Sequence, residues 1–470
     1  MPSDAPPVYS RTGSPVSESA SPDVLEAYQE SPRYSKVFAL HGRPTPASRS
    51  SHPLRTPHTF TLQSSKTPWI TLKCISRAGS PTNTPKYEGR DQIAGSIKLD
   101  LTGPMYINVI TISVRGRIIT AGTEEGSYTF LDDTHILWSK AQGDPRHASS
   151  MRSIKLEGKM APGEYSWDFS FPFPGTIATV VESRIPPVTK AHTTPQSFLE
   201  HGTSVTVQYE LVLHVGRGAL RPDRNIIAPI IYTPRIVPDP PSALRQLAYR
   251  EASPLMEPIA DPDGWLTLAS VAVLVKRSPS QDPVEIKCKL SIAKPLCYAR
   301  GTVIPCTLTL RCPDAVALDA IALPDAIKVA LQRRVKYCQK GARQTLRKPI
   351  TETLDVQDAV WWASMDDATY QGDDQSRTIQ GEIHLHKNLQ PSSDLPSFTV
   401  EYLVVFLPFC SPAFVCDNKK TPLATQLVTI GTFPPRGPRT REYSTRMNTD
   451  YSSSRRDPVV LARGFGVNYR

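Results

Sequence analysis

The chain has 470 residues and 46 of them are proline, about twice average usage; proline lacks an amide donor and clashes with the preceding helical turn, which excludes a helical bundle, a coiled coil or a helical solenoid. Hydrophobic residues make up 39%, below the roughly 45–50% of an average soluble domain, so folded cores must be diluted by unfolded segments. The net charge is 54 − 44 = +10, which permits attraction to an anionic surface without requiring it, and no tract reads as a nucleic-acid module.

Residues 1–58 hold ten prolines, many serines and threonines and few large apolar side chains. Such a segment cannot bury enough surface to offset chain entropy, so a disordered tail is expected. Within it, Pro6-Pro7-Val8-Tyr9 is a PPxY sequence. Proline pre-orders the chain in polyproline II, which lowers the entropy lost on docking into an aromatic groove, and the tyrosine ring fills a second apolar pocket. Pro6, Pro7 and Tyr9 are therefore candidate ligands for a WW domain, the module carried by HECT-type ubiquitin ligases. Ser14, Ser21, Ser31, Thr45 and Thr56 each precede a proline and are candidate phosphorylation sites, where each phosphate would add about −1.5 to −2 charges beside the motif.

The central region alternates with period two. In Tyr165–Phe173 every odd position is aromatic (Tyr165, Trp167, Phe169, Phe171, Phe173), which places five rings on one face of a strand as core packing. Val205, Val207, Tyr209, Leu211, Leu213 and Val215 repeat the pattern. Earlier, Ile93, Ile97, Leu99 and Leu101 share a face, as do Ile110, Ile112 and Val114. A proline-rich connector with Pro234, Pro238, Pro240 and Pro241 follows, and Ser242–Glu251 reads as two or three helical turns. A second strand-rich block then carries Ile286, Cys288, Leu290 and Ile292, then Ile304, Cys306, Leu308 and Leu310, and later Val400, Tyr402, Val404 and Phe406. Many short alternating strands with frequent turn signals predict an all-β chain of two tandem antiparallel, immunoglobulin-like sandwiches. The expected organisation is a tail over 1–58, a first sandwich over 59–237, a linker over 238–264, a second sandwich over 265–433 and an arginine-rich disordered tail over 434–470. That last tail has eight arginines and no lysine, and it could attract an anionic membrane. Lys328, Arg334 and Lys336 form a second basic stripe, of the kind common on solvent-facing strands.

Catalytic signatures are missing: there is no HExxH, phosphate loop, GxGxxG or GxSxG sequence. No cofactor or metal is expected. His384 and His386 would share a strand face, but two imidazoles are too few for a metal site. The eight cysteines include no CxxC pair and read as reduced, mostly buried thiols, which points to a cytosolic protein. No signal peptide is evident, and the longest uncharged apolar stretch, Tyr402–Cys416, is shorter than the ~18–20 residues of a membrane span and is broken by prolines.

Several stretches resemble a known family. Tyr87-Glu88-Gly89-Arg90-Asp91-Gln92-Ile93-Ala94-Gly95-Ser96-Ile97-Lys98-Leu99 resembles the early strand pair of the arrestin N-terminal domain, and Val114-Arg115-Gly116-Arg117 its next, glycine-bearing strand. Met160-Ala161-Pro162-Gly163-Glu164-Tyr165 running into Phe169-Ser170-Phe171-Pro172-Phe173-Pro174 is similar to the family's most recognisable segment, and Val205–Leu213 followed by Arg217–Pro222 keeps the same order. The resemblance is to fungal α-arrestins, the arrestin-related trafficking adaptors, and covers about 68–237. Gly89 and Gly95 read as turns or bulges. The resemblance implies a non-enzymatic adaptor that binds a plasma-membrane transporter or receptor as cargo and brings a WW-domain HECT-type ubiquitin ligase to it, in the cytoplasm and peripherally at the plasma membrane or endosomes. In that family PPxY motifs usually follow the second domain, whereas here the motif is near the N-terminus. Two alternatives stay open: an arrestin-fold sorting scaffold of the retromer kind without ligase recruitment, and a metal- or thiol-dependent hydrolase on a β-sandwich.

Overall fold

The computed structural model describes residues 55–444 apart from 65–66, 121–126, 148–158, 182–187, 201–202, 219–220, 277–281, 339–348, 364–374, 412–413 and 417–420. The PPxY motif and Ser14, Ser21, Ser31 and Thr45 lie outside the described residues. In the first lobe the strands are β1 (Thr56–Ser64), β2 (Thr67–Ser76), β3 (Lys86–Glu88), β4 (Gln92–Leu101), β5 (Met105–Tyr106), β6 (Val109–Thr120) and β7 (Tyr128–Ser139). They continue with β8 (Lys159–Met160), β9 (Gly163–Pro172), β10 (Thr176–Val181), β11 (Val188–Thr193), β12 (Val205–Gly216) and β13 (Arg224–Thr233). Two sheets face each other, one in the order β1-β2-β4-β9 and the other β3-β13-β12-β6-β7.

The period-two pattern explains the pairing. Along β9, Tyr165, Phe169 and Phe171 are buried while Ser166, Asp168, Ser170 and Pro172 are exposed, with Trp167 half-buried. Along β12 every odd residue from Val205 to Val215 is buried. The aromatic stripe meets the facing sheet at Phe173, whose ring stacks on Tyr232 at 3.9 Å and lies edge-on to Tyr209 at 5.6 Å. Gly89 does sit in a turn, with φ +56°. Gly95 is neither turn nor bulge. It lies in unbroken register between Cys74 and Phe169, and a Cβ there would stand 2.0 Å from the Lys73 carbonyl oxygen. The glycine is needed for close approach of two backbones. Gly95→Ala should therefore cost at least about 2 kcal/mol, the scale of an overpacked core, measured by urea unfolding.

The chain between the lobes holds a helix, α1 (Ala243–Glu251). Ser242 caps its start by accepting the Arg245 N–H, and Ala252 ends it in the left-handed conformation. The second lobe comprises β14 (Trp265–Thr267), β15 (Val271–Lys276), β16 (Val284–Ala293), β17 (Cys297–Ala299), β18 (Val303–Arg311), helix α2 (Ala315–Ile321), β19 (Lys328–Tyr337) and β20 (Ile350–Asp358). Its remaining strands are β21 (Val360–Ala363), β22 (Ser376–His384), β23 (Ser393–Leu395), β24 (Phe398–Leu407), β25 (Val415–Cys416) and β26 (Ala424–Gly431). One sheet runs β21-β22-β18-β16-β15-β25 with β14 added on β16, and the other runs β17-β26-β24-β19-β20 with β23 on β24. The two lobes share a device: a three-residue strand pairs parallel to the lobe's last strand, β3 with β13 and β17 with β26.

Three expectations need correction. Thr56 is not an extended phosphoacceptor; it opens β1, is buried, and its hydroxyl donates to the Ala78 carbonyl at 2.6 Å. The folded region accordingly begins before residue 59, because β1 pairs with β2 from Thr56 onward. The stretch from 434 is not wholly free either: residues 434–444 lie against the second lobe, where Arg441 Nε donates to the Tyr249 carbonyl at 2.8 Å and the Tyr443 hydroxyl to the Ser253 carbonyl at 2.9 Å.

Candidate functional site

The two lobes meet along a polar seam. β11 and the residues after it present His192, Gln196, Phe198 and Glu200 toward β19, β23 and β24. Glu200 takes both arms of the Arg333 guanidinium, at 2.9 Å from Nη1 and 2.6 Å from Nη2. Both side chains are buried, at 9% and 3% exposure, so the charges are mutually compensated where neither has water. Bidentate geometry suits arginine, whose planar fork matches a carboxylate. His192 is buried and its two ring nitrogens lie 3.0 Å from Asp394 Oδ2 and 3.0 Å from Thr179 Oγ1. The Gln196 amide donates to Gln390 at 2.8 Å and accepts from Arg300 at 3.1 Å. Phe198 packs on Phe398 with centroids 5.1 Å apart. At the start of the connector, the Ile236 N–H donates to Thr432 Oγ1 at 2.9 Å and its carbonyl accepts the Thr432 N–H at 2.9 Å. The seam thus joins the lobes by directional bonds as well as by apolar contact.

A second site lies on the outer face of the second lobe. On β22 the odd residues Ile379 and Ile383 are buried in the core, while Gln380, Glu382 and His384 alternate to the other face, where Gln380 is half-buried and Glu382 and His384 are buried. The connector supplies part of the cover. Arg245 of α1 is 3% exposed; its Nη1 donates to the Lys294 carbonyl at 2.7 Å, its Nη2 to the Gly264 carbonyl at 2.6 Å, and its guanidinium carbon sits 4.8 Å from the Trp265 ring centroid. Segment 434–444 supplies the rest. Between these covers is a cavity of about 380 Å³, lined among others by Met256, Trp265, Thr307, Trp362, Glu382 and Tyr443.

His384 and His386 do not form a pair. His384 is buried at the end of β22, with Nε2 2.9 Å from Ser444 Oγ, whereas His386 Nδ1 accepts the Asn388 N–H in a turn. Among the described residues, no group of three or more His, Cys, Asp or Glu is placed to hold a metal ion. Burial pushes the Cys74 and Cys297 thiols up to about 11 each, and Cys306 is raised further by the same cause. These thiols are protonated at neutral pH and are poor nucleophiles. The basic stripe is partly neutralised, since Lys336 Nζ lies 2.6 Å from Glu401. Sequence reasoning missed Glu200, Arg333, Arg245 and Glu382. Arg333 stands on the odd, buried face of β19 with Val329, Leu331, Val335 and Tyr337, so the one signal available was a charge interrupting an apolar period-two repeat.

Residues 80–228 match the family model for the arrestin (or S-antigen) N-terminal domain. No curated protein matches the chain. The matched span runs from the turn before β3 into β13 and includes the aromatic strand β9 and the long strand β12. The protein is an arrestin-fold protein with an arrestin-type N-terminal domain and a second β-sandwich lobe bonded to it along the seam. Among the described residues, no helix is long and apolar enough to cross a membrane.

Proposed function

We propose that this protein is a non-enzymatic adaptor of the α-arrestin kind. In this reading the two lobes offer a broad, fixed surface to a plasma-membrane transporter or receptor, and Pro6, Pro7 and Tyr9 bring a WW-domain HECT-type ubiquitin ligase to the same place. Ubiquitination of the cargo then drives its endocytosis or sorting. The observation that carries the reading is the arrestin N-terminal match over residues 80–228 in a chain that also holds a PPxY sequence. The mechanism needs no chemistry from the adaptor itself. Tethering two binding modules raises the local concentration of one at the other, to about millimolar for short flexible linkers, and the long stretch between Tyr9 and Thr56 lowers that value while extending reach. The protein works in the cytoplasm, peripherally at the plasma membrane or endosomes, and the arginines after Ser444 add attraction to an anionic lipid surface.

The test is a quantitative pull-down with an array of WW domains, using full-length protein. Tyr9→Ala empties the tyrosine pocket and should weaken binding at least about tenfold, or 1.4 kcal/mol. Equal capture of the wild type and Tyr9→Ala would overturn ligase recruitment through this motif. If cargo turnover in cells were then also unchanged by Pro7→Ala, the arrestin-fold scaffold without a ligase would be the better description.

A further inference from the structure

After β26 the chain turns back across the outer face of the second lobe and ends its described course at Ser444. Residues 434–444 belong to no strand or helix; side chains hold them there. The anchor is Glu382 on β22, 1% exposed. A buried carboxylate is tolerated only when hydrogen bonds replace its water. Here the Tyr443 N–H donates to it at 3.1 Å, the Ser444 N–H at 2.8 Å and the Ser444 hydroxyl at 2.6 Å. The Ser444 oxygen in turn lies 2.9 Å from His384 Nε2, which can donate to it. The strap and the carboxylate stabilise one another.

The residues leading to Ser444 are Arg439-Thr440-Arg441-Glu442-Tyr443-Ser444. Arginines stand five and three positions before a hydroxyl, the spacing an acid-lined kinase groove recognises by charge. Arg439 is exposed and free of the latch, while Arg441 bonds the Tyr249 carbonyl. We propose that Ser444 is the acceptor of an arginine-directed protein kinase and that its phosphorylation unlatches residues 434–444 from the second lobe. In the transfer, Ser444 Oγ forms a bond to the γ-phosphorus of a nucleoside triphosphate and the bridging bond between that phosphorus and the β-phosphate oxygen breaks. The nucleoside diphosphate leaves with the electron pair, and the hydroxyl proton passes to the kinase's carboxylate base. The modified side-chain oxygen can no longer donate to Glu382, and it sets about −1.5 to −2 charges against a buried carboxylate. The contact that stabilised the strap becomes repulsive. Release removes Tyr443 from the wall of the 380 Å³ cavity and opens it. Transfer occurs when the strap lifts transiently, and the phosphate prevents its return. This inference stands independently of the PPxY reading.

The experiment treats full-length protein with a purified arginine-directed kinase and magnesium ATP. Phosphate is mapped by mass spectrometry, and hydrogen exchange is followed over 434–444. Ser444 should be modified, Arg439→Ala should slow its modification at least about tenfold, and the Tyr443 and Ser444 amides of the phosphoprotein should exchange at least about a hundredfold faster. Ser444→Ala, which keeps both backbone bonds to Glu382, should exchange more slowly than the phosphoprotein. Two results would overturn the proposal: no phosphate on Ser444 with Arg439 intact, or a phosphoprotein whose strap exchanges within twofold of the unmodified protein.

Discussion

Arg333→Met is expected to lower folding stability by about 3–5 kcal/mol, the effect of removing one partner from a buried ion pair. The change removes from the Glu200 carboxylate the two hydrogen bonds it had accepted from Arg333, at a place where 9% of its surface meets solvent. Glu200→Leu alone should be comparably damaging, since it leaves the guanidinium without its carboxylate. The double variant Glu200→Leu/Arg333→Met should regain most of the loss, because a buried pair's mutual attraction roughly balances its desolvation and an apolar pair carries neither term. A double-mutant cycle in urea, followed by circular dichroism, measures the coupling directly. If the seam alone makes the lobes unfold together, the single variants will also show a lower m value or two separate transitions. A single-variant loss below about 1 kcal/mol would mean that the carboxylate rehydrates by parting of the lobes, and the seam would then not be the rigid joint described above.

The second large effect is expected at Arg245. Its two N–H bonds satisfy the carbonyls of Lys294 and Gly264, and its guanidinium lies over Trp265. Arg245→Met keeps the apolar stem but takes the donor from the Lys294 carbonyl, at a cost of about 1–3 kcal/mol. It leaves the Gly264 carbonyl with the Lys294 N–H at 2.7 Å as its remaining donor, and removes a cation–π contact of about 1–2 kcal/mol in a desolvated setting. A combined loss of about 2–5 kcal/mol should appear in thermal unfolding, together with faster amide exchange across α1. Arg245→Lys should recover less than half of it, because a point ammonium cannot reach two carbonyls in the geometry of a fork. Full recovery by lysine would show that charge alone matters at this position. Wild-type stability in Arg245→Met would show that the connector is held by its apolar contacts. This residue changes the meaning of the proline-rich connector: it is pinned to the second lobe at a buried point and behaves as part of that lobe.

Burial separates features that were readable in the chain from those that were not. The aromatic run Tyr165–Phe173 and the alternating run Val205–Val215 could be assigned to core faces because each residue's fate depends on its immediate neighbours along a strand. Helix α1 was readable for a similar reason, with a serine cap before it and prolines ahead. Gly95 misled, since a glycine needed for close approach of a neighbouring strand looks the same in sequence as one that makes a bulge. Thr56 misled because a Thr-Pro pair at the edge of a proline-rich stretch gives no sign that its hydroxyl reaches Ala78, 22 residues away. The parallel strands β3 and β17 are three residues each, too short for a period to register.

Local alternation, proline content and turn residues determined the all-β character, the two-sandwich architecture and most of the core, since strand faces are set by a two-residue repeat that any segment carries by itself. The tertiary structure decided which distant polar groups share a buried environment: Glu200 with Arg333 across 133 positions, and Glu382 with Ser444 across 62. The physical reason is that a charge resists burial until a partner compensates it, and the identity of that partner is settled by how sheets stack and where the chain returns. Such information resides in the folded arrangement of the whole polypeptide, not in any window of it.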